Sequence, residues 1–165
     1  MPPSEPPVSC LSEHVGFQLR LAQMVSIKDL TNALAPLGLK PTDFSVLALI
    51  SSQPGLKQQT VGEILRIQRP NMVSLLDSLE SRGLIIRGPV ANDRRSHALT
   101  LTPEGERLLE KAHQVHDEHD NRLSVALAGI EKSVLLEALG RIAAMQPYPS
   151  AHAAQSKETD HDVAG

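Results

Sequence analysis

The chain has a single cysteine, Cys10, among its 165 residues. No disulfide can close within it, and its composition suits a reducing compartment such as the cytoplasm. No stretch approaches the roughly eighteen uninterrupted apolar residues that a membrane-spanning helix needs, so no membrane partner is expected. Met1 to Ser9 hold four prolines and no apolar centre. They lack the features of a signal peptide, and residues 1–10 read as a disordered lead. There is no glycine-rich phosphate loop and no nucleophile motif, and the carboxylates lie mostly beside lysine or arginine on helix faces. Enzyme activity is therefore not expected, and neither is a cofactor or a metal.

What is present is a chain long enough to bury a real core and an uneven distribution of charge. The net charge is −3, yet Lys57 to Arg95 carries seven basic residues against four acidic ones. A phosphate-binding surface needs local positive charge, and the chain average does not decide that.

Apolar residues at helical spacing (Val15, Leu19, Ala22, Val25, Leu30, Leu34) predict a long first helix over 11–35, ended by Pro36. Pro41-Thr42-Asp43 offers a capped start for a second helix through Ile50, and Ser51 to Leu56 reads as a turn. Two short helices, Gln58 to Leu65 and Arg69 to Arg82, follow at helix-turn-helix spacing, with Gly83 where a helix commonly ends. Leu84-Ile85-Ile86-Arg87 and Ala98-Leu99-Thr100-Leu101 are β-prone and joined by the polar stretch Gly88 to His97, which predicts a hairpin with a long loop. Thr102-Pro103-Glu104 starts another helix, to about Leu127, and Ile130 to Met145 forms a last amphipathic one. Residues 146–165 are small and polar and are expected to be disordered.

The expected fold is mainly α: a winged helix-turn-helix lobe over 36–101 with a two-stranded wing, flanked by helices over 11–35 and 102–145. The apolar faces of the flanking helices exceed what three short central helices can cover. A homodimer would bury them.

The second helix of the pair carries the function. Met72, Leu75, Leu76 and Leu79 form a buried stripe, while Gln68, Arg69, Asn71, Ser74 and Ser78 fall on the other side, as base readers or phosphate clamps in a major groove of double-stranded DNA. Gln58 and Thr60 of the preceding helix are assigned to the same contact. An amphipathic surface helix alone is weak evidence, but Asn92-Asp93-Arg94-Arg95 at the hairpin tip adds two arginines able to enter an adjoining minor groove. Asp93 is expected to hold an arginine in place by a charge-assisted bond.

Asp93-x-Arg95, five residues, then Leu101-Thr102-x-x-Gly105 resembles the wing signature of the MarR family, and Leu76 to Ile85 is similar to that family's recognition-helix exit. The resemblance runs from about Leu11 to Met145. It implies a dimeric regulator, most often a repressor, that binds a short inverted repeat and releases it when a small molecule enters a pocket between the dimer helices and the DNA lobe. Val73 and Ser74 stand where many relatives have threonine and arginine, so the operator does not carry over.

Val15 to Gln23 and Leu39 to Leu47 are similar to MarR-type regulators of aromatic-acid breakdown, including a hydroxycinnamoyl-CoA responsive subgroup. That likeness implies an aromatic acid or its CoA thioester as effector, with Phe17, Met24 and Phe44 as apolar walls and Arg20 as anion partner. The competing reading makes these residues core and dimer contacts. The sensor cysteine of some relatives aligns with Gly16, so Cys10 is read as an inert or merely exposed thiol. His113, His116 and His119 recur every three residues. A metal site is conceivable at that spacing, but a solvated or dimer-edge face is the expected reading. Finally, a winged-helix module that binds protein in place of DNA would suit the overall acidity, and Arg95→Ala separates the two readings.

Overall fold

The computed structural model describes residues 9–90 and 93–145, and among these the side chains other than those of residues 9, 10 and 89–97. The expected lead and tail and the thiol of Cys10 lie largely or wholly outside the described residues. The chain divides into two compact units, Met1–Val125 and Ala126–Gly165.

In the first unit a short α1 (Ser9–Ser12) precedes the long α2 (Val15–Leu34) and a 3-10 turn (Ala35–Leu37). The single helix expected over 11–35 is therefore interrupted. His14 is extended, its N–H bonds to the Leu11 carbonyl at 3.0 Å, and its own carbonyl accepts from Phe17 and Gln18 to begin α2. The Gln18 amide reaches back to the Ser12 carbonyl at 2.8 Å and fixes the break. Side-chain capping of this kind competes with helix continuation and leaves no trace in apolar spacing.

Helix α3 (Pro41–Ser52) starts on a proline whose missing N–H costs nothing in a first turn. The Asp43 carboxylate accepts from the Lys40 N–H at 2.9 Å, and Arg82 lies 3.6 Å from the same carboxylate. The exit of the second helix of the pair is thus tied to the start of α3. Helices α4 (Gln58–Leu65) and α5 (Arg69–Ser81) are joined by three residues. Arg66 occupies the left-handed region there with φ 52°, and the Ile67 N–H returns to the Gly62 carbonyl at 2.9 Å.

The wing is β2 (Ile85–Val90) paired antiparallel with β3 (Asp93–Leu101), from Ile85 opposite Leu101 to Pro89 opposite His97. A third strand, β1 (Leu56–Lys57), pairs with Leu99 and Ala98, giving the order β1-β3-β2. Two expectations are corrected here. The segment read as a turn ends in a strand, and much of the stretch read as a long polar loop is strand, because a backbone ladder needs no apolar side chains. Pro89 is tolerated because β2 is an edge strand.

Helix α6 (Pro103–Ala126) is launched by a compact knot. The Thr102 hydroxyl donates to the Gly83 carbonyl at 2.6 Å and accepts from the Gly105 N–H at 3.0 Å, while the Thr102 N–H bonds to the Leu84 carbonyl at 3.1 Å. A Cβ on Gly105 would lie 2.1 Å from the Leu84 carbonyl oxygen. That contact explains why the Leu-Thr-x-x-Gly motif ends in glycine: the first turn of α6 lies against the backbone entering the wing.

The core is aliphatic. Leu34, Val46, Leu47, Ile50, Leu76 and Leu99 are fully buried, each contributing about 1.5 to 3 kcal/mol of transfer free energy. In the second unit, α7 (Lys132–Ala143) follows Gly129, whose φ is 87°.

Candidate nucleic-acid interface and effector region

Along α5 the exposure pattern divides the helix lengthwise. Met72, Leu76 and Leu79 are buried and Leu75 is half-buried, whereas Gln68, Arg69, Asn71, Ser74 and Ser78 are all exposed. Gln68 is the N-cap residue with extended φ and ψ, and Pro70 pre-sets the first turn. Gln58 and Thr60 lie half-buried at the start of α4. Between the two helices and the sheet runs a groove of about 730 Å³, lined among others by Lys57, Gln58, Glu63, Arg66, Gln68 and Arg69. Two of the proposed α5 readers and one from α4 therefore share a cation-rich concavity.

Asp93, Arg94 and Arg95 open β3, and their side chains belong to the undescribed set. The backbone register is informative. Pro89 opposes His97 but Val90 opposes Asp93, so the ladder shifts between them and places Arg94, Arg95 and Ser96 in a bulge. Bulges re-aim side chains and increase local twist.

A contact that the sequence does not reveal joins wing to recognition helix. Arg87 on β2 hydrogen-bonds Asp77 on α5, and its Nε lies 3.2 Å from the Glu80 carboxylate, off the line of a hydrogen bond. The three side chains belong to two elements, and no local spacing rule connects them.

The residues proposed for the effector are distributed over two helices. On α2, Phe17 is half-buried, and Arg20 and Met24 are exposed. Phe44 on α3 is buried, stacked on His116 with ring centroids 4.8 Å apart and meeting His113 edge-on at 5.3 Å.

The histidine row is a solvated face only in part: His113 is exposed, His116 half-buried and His119 buried. His116 packs on Phe44, and His119 is 4 % exposed, with Nδ1 2.6 Å from Asp29 and Nε2 3.3 Å from the Ser26 hydroxyl. Arg122 donates to the same Asp29 oxygen at 2.7 and 3.1 Å. These bonds hold the Asp29 carboxyl below the usual carboxylate range, the Arg122 hydrogen bond foremost and the His119 bond next. Serine, histidine and carboxylate in sequence suggest a hydrolase, but Ser26 lies in mid-helix. The neighbouring N–H groups there bond to carbonyls one turn earlier, so no oxyanion-binding pair is available. The arrangement instead ties α2 to α6.

Apolar side chains are left uncovered on both units. Val15, Met24 and Val25 on α2, and Val134, Leu139 and Ile142 on α7, are exposed. Among the described residues no single helix is long and apolar enough to cross a membrane.

A helix-turn-helix followed directly by a bulged antiparallel hairpin defines the winged helix-turn-helix class. The MarR family model matches residues 37–96. Two solved structures of the transcriptional repressor CouR are similar to this chain. One, bound to a 23-mer DNA duplex, is 40% identical with a TM-score of 0.80, covering 85% of this chain and 99% of that one. The other, bound to p-coumaroyl-CoA, is 36% identical with a TM-score of 0.74, covering 82% and 96%. The multiple antibiotic resistance protein MarR of Salmonella typhimurium is 34% identical over 58% of this chain and 68% of its own. A putative transcriptional regulatory protein for the hcr operon of Thauera aromatica is 28% identical over 80% of both chains. The chain belongs to the MarR family of transcriptional regulators.

Proposed function

We propose that two copies of this chain bind an inverted repeat in double-stranded DNA and repress transcription until an aromatic acid or its CoA thioester releases them. The observation that carries this reading is the division of α5 into a buried stripe and an exposed polar face, directly followed by an arginine-bearing hairpin. The similarity to CouR, solved with DNA and with p-coumaroyl-CoA, supports both halves of it. The protein acts in the cytoplasm as a regulator and not as an enzyme.

Asn71, Ser74 and Ser78 are assigned to base edges, and Gln68, Arg69, Gln58 and Thr60 to bases or phosphate at the groove's rim. Arg94 and Arg95 enter the flanking minor groove, with Asp93 orienting them. The uncovered apolar side chains of α2 and α7 supply the dimer contact. Recognition helices of such a dimer must lie about 34 to 36 Å apart to meet successive major grooves. A ligand that fits only a different spacing weakens DNA affinity by the ratio of its affinities for the two states. Phe17, Met24 and Phe44 are assigned to the apolar part of that ligand and Arg20 to its anionic part.

The test is selection of duplexes from a random-sequence pool, followed by footprinting with and without p-coumaroyl-CoA. The expected result is protection of an inverted repeat that the thioester abolishes. Failure to enrich any sequence at low salt would overturn the proposal.

A further inference from the structure

We infer that Arg87 is a positioning residue that makes the wing and the recognition helix one rigid DNA-binding body, acting through Asp77 and Glu80 and not through DNA. The inference rests on the proposed function, since it concerns how that site is held together.

The argument begins with what α5 carries on the side next to the wing. Asp77 and Glu80 are both exposed, with side-chain accessibilities of 60% and 44%. Two carboxylates three residues apart on one helix face repel each other. On a helix that enters a DNA groove they also repel phosphate. Neither promotes folding or binding by itself, so their presence calls for a partner.

That partner comes from β2. The Arg87 side chain is only 17% exposed and engages both carboxylates at once, by a hydrogen bond to Asp77 and an ion pair at 3.2 Å to Glu80. A guanidinium suits this bridge because its planar fork presents donors in several directions, whereas an ammonium is a point charge. One arginine thus neutralises part of the acidity of α5 and fixes the hairpin to the helix at a point three residues before Val90, where β2 ends.

The second link is mechanical. A two-stranded hairpin is only marginally stable alone. The sheet has its third strand, β1, only against Leu99 and Ala98 on β3, which lie opposite Arg87 and Gly88, so from Pro89 onward the hairpin has no third strand beside it. Beyond Pro89 the register itself shifts. Without the Arg87 bridge the arginine-bearing end would keep its ladder but lose its fixed angle to α5. Contacts of the wing and of the helix with DNA are then no longer paid for together.

The test compares two duplexes carrying the inverted repeat selected with the wild-type chain. One ends at the outer bases of the repeat, and the other extends about ten base pairs further on each side, enough to reach the wings. The wild type is expected to bind the longer duplex more tightly. R87Q should lose that gain, roughly tenfold on the longer duplex, a size typical of coupling between contacting groups, with less than about twofold change on the shorter one. D77N/E80Q, which removes the other side of the bridge at exposed positions, should likewise lose the gain from the longer duplex, while the two removed charges strengthen binding to both duplexes alike. Should R87Q fail to fold, the double variant carries the comparison. A wild type that gains nothing from the longer duplex overturns the wing contact itself. A wild type that gains, with both variants keeping the gain, overturns the inference while leaving DNA binding intact. Loss in R87Q but not in D77N/E80Q would mean that the arginine touches DNA directly and would also overturn it.

Discussion

His119 on α6 and Asp29 on α2, ninety residues apart in sequence, are joined by a 2.6 Å hydrogen bond from the buried imidazole to the carboxylate. Arg122 holds the same carboxylate from the next turn of α6. The bond fastens the long helix α2 to α6, the helix that leaves the wing.

Acid should release this fastening. The carboxyl of Asp29 is held below its ordinary value, so its contribution to stability is present above the unfolded-state value and is lost as pH falls through the lower folded-state value. Thermal unfolding of wild type should therefore steepen its decline below about pH 4, and D29N should flatten that decline while lowering stability at neutral pH. Equal slopes in the two proteins would contradict the assignment. His119→Ala should cost about 2 to 3 kcal/mol at pH 7, from the lost bond and the cavity together.

Gly105→Ala tests the knot at the start of α6. The new methyl would fall 2.1 Å from the Leu84 carbonyl oxygen, a backbone atom that cannot move alone. A loss of about 3 kcal/mol is expected in denaturant unfolding, accompanied by weaker DNA binding, because the wing strand must shift. Gly140→Ala inside α7, where nothing lies within 4 Å, is the control and should raise stability by about 0.5 to 1 kcal/mol.

Arg95→Ala tests the wing. If this arginine lies against phosphate, binding weakens and the slope of log affinity against log salt falls by about one. An unaltered slope would remove the wing from the DNA contact.

The effector assignment predicts that p-coumaroyl-CoA raises the melting temperature and weakens operator binding. Arg20→Ala should abolish both responses while keeping DNA affinity within about twofold. Persistence of release in that variant would move the anion site elsewhere.

Much of the fold is legible in the chain because the deciding signals are local. The stripe Met72, Leu76, Leu79, the proline and polar cap at Thr102-Pro103, and Gly83 after α5 each act within a turn or two of themselves. What is not legible depends on partners distant in sequence. Leu56 and Lys57 become a strand because Leu99 and Ala98 lie beside them. His119 looks like one of a polar row until Asp29 and Ser26 are brought beside it. Arg87 reads as a strand residue until α5 presents two carboxylates to it. The break at His14 turns on a side-chain bond from Gln18 that leaves the apolar period unchanged.

The central claim is that the exposed face of α5 reads bases, and fluorescence anisotropy on the selected duplex measures it directly. Asn71→Ala and Ser74→Ala should each weaken binding to that duplex by about 1 to 3 kcal/mol and relax preference at one base position, leaving affinity for unrelated DNA nearly unchanged. Equal affinity of both variants and wild type for the selected duplex, with no change in base preference, would contradict the account.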